Sequence, residues 1–224
     1  MNNYHYIIAS LPQLSQNKED AAFDYEKIRN LICSQLTPSD IKKVELFESG
    51  FNSENLNSSY YQKVSKGSNK FMRLYYSLDM AIRNKKVELL AQSIYESKSQ
   101  EKIEQYRVSL PTSPINAYLE PKDSEAELNK FDIQTLEQIF SNNNILEKER
   151  QLDDFRWEKI NQFTSFDFFN LSTILAFLAK GKMIQRWTKL DAKRGKEMFI
   201  KLIDEVRGTF NKEKLRYKID EHNG

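Results

Sequence analysis

The sequence predicts an essentially all-α protein, a helical bundle with one short extended piece at its N-terminus. Apolar residues recur at three- and four-residue steps over most of the chain, the spacing that lines one face of a helix. Only six Gly and five Pro occur in 224 residues, too few for the many turns of an all-β fold. Fourteen Phe and eleven Tyr point to a core built from rings.

Tyr4, Tyr6 and Ile8 alternate with His5, Ile7 and Ala9, so the first segment reads as extended, and Pro12 stops it. A helix follows with Tyr25, Ile28, Leu31, Ile32 and Leu36 as its apolar stripe. Thr37 caps the next helix, and Pro38 takes the first helical position, where its missing N–H costs nothing. From Ser49 to Ser68 Asn, Ser and Gly dominate, which predicts a loop with one weak helical turn around Tyr60, Tyr61 and Val64. Phe71, Leu74, Tyr75, Leu78 and Ile82 then mark a helix from Asn69 to about Tyr95, a rod of roughly 40 Å.

Pro111, Pro114 and Pro121 bracket a linker over 108–123. It divides an N-terminal helical part (1–107) from a C-terminal one (124–208), although one compact domain fits the length equally well. Ser124 and Glu127 match a capping box ahead of Leu128, Phe131, Leu136, Ile139 and Phe140. Asn142–Asn144 ends that helix, and Ile145 begins another through Leu152, Phe155, Ile160 and Phe163. Asn170 or Ser172 caps a strongly apolar helix whose second half turns basic at Lys180, Lys182 and Arg186 and closes on Trp187. A last helix spans Ala192 to Arg207, followed by a basic and then acidic tail over 209–224.

The net charge of +2 conceals an asymmetry. Residues 1–179 hold 21 basic and 25 acidic side chains, while 180–218 hold 13 and 5. A basic C-terminal region on a slightly acidic body fits an acidic partner, a lipid headgroup layer or nucleic acid, or simply a solvated helix face. Glu205, Glu213, Asp220 and Glu221 interrupt the positive field around the Lys214–Lys218 run, so nucleic acid is not expected. No run reaches about 18 apolar residues and no signal peptide is evident, which predicts a cytoplasmic protein without a membrane span.

Chemistry is sparse. Two histidines and one cysteine, Cys33, argue against a metal centre or a Cys–His nucleophile, and no cofactor is expected. Phosphate-cradling and nucleophile-elbow motifs are lacking. Cys33 sits among apolar neighbours and reads as a structural thiol. Asp154 and Glu158, four apart on one helix, could share a proton or a cation, but flanking Arg150, Arg156 and Lys159 favour an ordinary charged face.

Three segments together resemble a known family: Tyr6–Pro12, Tyr75–Leu90 with Ile82-Arg83-Asn84 at its centre, and Ile174–Leu190 with Lys-Met-Ile-Gln-Arg-Trp. They resemble a bacterial family encoded beside the genes of V-type ATPases. That family is itself similar to a shortened form of the C-type central-stalk component of V/A-type ATPases, the d-type component in eukaryotes. The resemblance covers about 50 residues and includes no catalytic signature. The chain is shorter than the three-lobed C-type component, and Gly181 interrupts the third segment. The resemblance implies a non-catalytic socket between the soluble rotor shaft and the membrane rotor ring, peripheral on the cytoplasmic side. Lys180, Lys182, Arg186, Trp187, Arg83 and Asn84 are then the candidate partner contacts, since Trp and Arg dominate interface energetics. Trp187 could instead cap the core, with Arg186 on a local carboxylate. A helical adaptor that binds an acidic protein or RNA is the alternative from another class. An enzyme assembled from scattered carboxylates is the third.

Overall fold

A computed structural model describes residues 4–15, 23–94 and 128–189. Among them are eight α-helices, one 3-10 turn (Ser53–Asn55) and no strand. The helices are α1 (His5–Ser10), α2 (Tyr25–Gln35), α3 (Pro38–Ser49), α4 (Ser58–Ser65), α5 (Lys70–Ile94), α6 (Lys130–Ser141), α7 (Ile145–Phe163) and α8 (Leu171–Thr188). The all-α expectation holds. The capping box at Ser124–Glu127, the linker over 108–123, the helix over 192–207 and the tail over 209–224 lie outside the described residues.

The N-terminal segment is a helix, not an extended strand. The two-residue alternation there separated no polar face from an apolar one. Burial follows the helical step instead: Tyr4 and Ile7 are buried and Ile8 and Leu11 half-buried, at intervals of three, one and three. Pro12 still acts as the stop, holding Leu11 in an extended conformation. The Ser49–Ser68 stretch is likewise more ordered than a loop. Asn57 caps the eight-residue α4, whose Tyr60, Tyr61 and Val64 are all buried.

Capping explains most helix starts. Asp24, Thr37, Asn144 and Asn170 each accept a backbone N–H at the heads of α2, α3, α7 and α8. Asn129 and Asp132 form a reciprocal capping box on α6.

The core has two apolar clusters. The larger joins α1 to α5 with α7 and α8, and its centre is Phe47, fully buried against Phe51, Phe71, Tyr75 and Tyr76. Two glycines permit its close approaches. A Cβ at Gly50 would overlap the Tyr76 hydroxyl, and one at Gly181 would meet the Phe23 ring at 2.8 Å. The smaller cluster joins Leu78 and Ile82 of α5 to Leu136 and Ile139 of α6 and Leu152 and Phe155 of α7. The helices on either side of residues 108–123 therefore share both clusters.

Candidate functional site

Two carboxylates organise the junction of α4, α5, α7 and α8. Asp79 on α5 is 9% exposed. Its Oδ2 accepts the Tyr61 hydroxyl at 2.7 Å and Arg83 Nε at 2.7 Å. Asp153 on α7 is 2% exposed and accepts Arg186 Nη2 at 2.5 Å and the Trp187 indole N–H at 2.8 Å. Arg156 stands between them, 3.5 Å from an oxygen of each. Glu149 approaches Arg186 from α7 at 3.6 Å. Carboxylates this deep persist only because charged donors surround them.

Over this junction opens a cleft of about 520 Å³. Tyr75, Tyr76, Asp79 and Arg83 of α5 form one wall, and Lys182, Gln185 and Arg186 of α8 form another. Asp153 and Arg156 lie at its floor, and Gly50, Phe51 and Leu56 close the side towards α3 and α4. Burial pushes the Tyr75 phenol well above its ordinary range, with Arg156 and Arg186 opposing that rise and Asp79 and Asp153 adding to it. The ring hydroxyl thus sits within the field of all four charged groups.

Of the six partner contacts expected from sequence, Arg83, Lys182 and Arg186 come together on this cleft. Lys180 does not. Two residues along a helix turn the side chain by roughly 200°, so Lys180 faces α7, where its amine meets Asn161 at 2.6 Å and covers the Trp157 ring. Burial pushes the Lys180 amine down. Trp187 is 8% exposed and bonded to Asp153, so of its two weighed roles the packing one is visible, with Arg186 on a local carboxylate as that reading required. Asn84 is half-buried on α5, outside the cleft lining.

Asp154 and Glu158 line a separate groove between α6 and α7, beside Phe131 and Ile139. No group of three metal-ligating side chains occurs among the described residues. Cys33 is half-buried, and burial pushes its thiol up, away from reactivity. A different surface is apolar: Tyr6, Phe166 and Phe168 are exposed where α1 meets the α7–α8 connection, and His5 stacks on Phe169 at 4.4 Å.

Asp79, Asp153 and Arg156 were missed in the sequence. A signal was there, since each Asp follows a buried Leu and precedes an Arg by three or four residues. A carboxylate set into an apolar helix face with an Arg one turn on marks a buried ion pair.

The chain belongs to the family described as "Protein of unknown function (DUF2764)", whose model matches residues 1–59 and 54–209. No curated protein and no solved structure matches the chain.

Proposed function

We propose that the chain is a non-catalytic central-stalk component of a bacterial V-type proton or sodium ATPase, a socket between the soluble rotor shaft and the membrane rotor ring. One spatial observation carries this reading. The resembling segments Tyr75–Leu90 and Ile174–Leu190 are far apart in sequence, yet α5 and α8, which hold them, pack together and wall one cleft. Two of the three resembling segments therefore share one surface, while Tyr6–Pro12 belongs to α1.

Two further features support a mechanical role. A part that passes torque must resist shear between its helices. Here Asp79, Arg156 and Asp153 tie α4, α5, α7 and α8 through one continuous chain of ion pairs and hydrogen bonds. No helix among the described residues is long and apolar enough to cross a membrane; on the stalk reading, membrane association runs through protein partners.

The test is genetic removal followed by assay of membranes. Without the chain, the ATPase head should still hydrolyse ATP, but ATP-driven ion pumping should collapse. The tagged chain should co-purify with the rotor shaft and the membrane ring. Pumping at the wild-type rate in its absence would exclude the coupling role. Co-purification with an unrelated acidic protein would favour the adaptor reading.

A further inference from the structure

We infer that the cleft between α5 and α8 receives the carboxylate side chains of an acidic segment on a partner protein, with Lys182, Lys189 and the Tyr75 hydroxyl as its available donors. The inference deepens the stalk reading, which it needs only for the partner's identity.

Five cations, Arg83, Arg156, Lys182, Arg186 and Lys189, line the cleft against two carboxylates, Asp79 and Asp153. Counting Glu149 beside Arg186 still leaves an excess of positive charge. The two groups of cations are held differently. The arginines are fixed on buried carboxylates, which orients their forks while further N–H donors have no partner among the described residues. The lysines have no carboxylate within salt-bridge distance among the described residues. Lys182 meets only the neutral Gln185 oxygen at 2.8 Å and the Tyr25 ring at 5.0 Å.

Tyr75 supplies the second observation. Tyr75 lines the cleft, and its hydroxyl has no hydrogen-bond partner among the described residues. Tyr61 and Tyr76, in contrast, donate to Asp79 and to the Phe47 carbonyl. A phenol in a cleft lined by three guanidinium groups can donate to an anionic acceptor that enters it. Tyr75 shares the cleft lining with Arg156 and Arg186. A side-chain carboxylate, planar and bearing two acceptor oxygens, can take a guanidinium fork, an ammonium and a phenol together.

The probe is a fluorescein-labelled decapeptide of alternating Glu and Ala, titrated into the full chain by fluorescence anisotropy. A Gln–Ala peptide and a labelled ten-nucleotide RNA serve as comparisons. The Glu peptide should bind, lose affinity as salt rises and outcompete both comparisons. Lys182→Glu with Lys189→Glu should weaken it at least tenfold, and the neutral Lys182→Gln with Lys189→Gln should weaken it less. Tyr75→Phe should weaken it about threefold without lowering the melting temperature, because the hydroxyl it removes has no partner among the described residues. Undiminished binding by the charge-reversed chain, absence of Glu-peptide binding at low salt, or tighter binding of RNA would each overturn the inference. The two readings fail separately. Association with the rotor that ignores these substitutions removes the cleft alone. Peptide binding without any rotor association removes the stalk alone.

Discussion

The ring cluster around Phe47 and the ionic junction around Asp153 border the same cleft, yet they are held together by opposite means. At Phe47 five aromatic residues meet at ring-centroid distances of 5.1–5.8 Å, and the hydroxyls of Tyr76 and of neighbouring Tyr60 donate to neutral backbone oxygens. At Asp153 a buried charge is compensated by two arginines and an indole N–H from two helices. Apolar packing degrades gradually as atoms are lost. A buried charge pair fails when one partner goes, since the other is left uncompensated. The chain thus places its graded stabilisation on the side of α3 and α4 and its geometric specification between α7 and α8.

Replacement of Phe47 by Ala should show the largest effect. Its side chain is fully buried, so the loss should be about 3–5 kcal/mol of unfolding free energy, read by urea melts. A loss below about 1 kcal/mol would mean the ring cluster is not the core. Asp153→Asn should rank second. The amide oxygen can still accept from Trp187, but the charge facing Arg156 and Arg186 is gone, for about 2–3 kcal/mol. A neutral outcome would show the junction to be replaceable polar packing.

Alkaline pH separates the regions by a smaller, graded effect. Burial is the leading cause that raises the phenols of Tyr25, Tyr60, Tyr61, Tyr75 and Tyr76 above the ordinary value of about 10. The unfolded chain loses these protons first, so their stabilisation is intact below about pH 10 and is lost as pH rises, by up to about 1.4 kcal/mol per phenol per pH unit. Tyrosinate absorbance and loss of helical circular dichroism should therefore rise together in one cooperative step. Ionisation of all eleven tyrosines while the helices persist would contradict the burial of these five.

Most of the fold was legible because helix periodicity and capping are local. Thr37-Pro38, Asn170 and the apolar run after Leu171 specify their helices without help from distant residues. The first segment was misread because Tyr, His and Ile occupy both alternating faces, and only docking against α3 selects the helix. Tyr4 donates to Asp40 at 2.5 Å and its N–H to the Phe169 carbonyl. Three of the six expected contact residues fall on the cleft and three do not, for one physical reason. Charge is visible in a sequence, but the side of α8 that turns towards α5 is fixed by packing. Lys180 and Lys182 looked alike until α7 claimed one of them.

Lysine acylation footprinting, read by mass spectrometry on the free chain and on the chain in the proposed ATPase assembly, tests docking at the cleft most directly. Lys182 and Lys189 should become protected on assembly, while Lys42 and Lys66, exposed on α3 and just beyond α4, should react at unchanged rates. Unchanged rates at Lys182 and Lys189 in an assembled complex would contradict docking there and turn attention to the aromatic surface of Tyr6, Phe166 and Phe168.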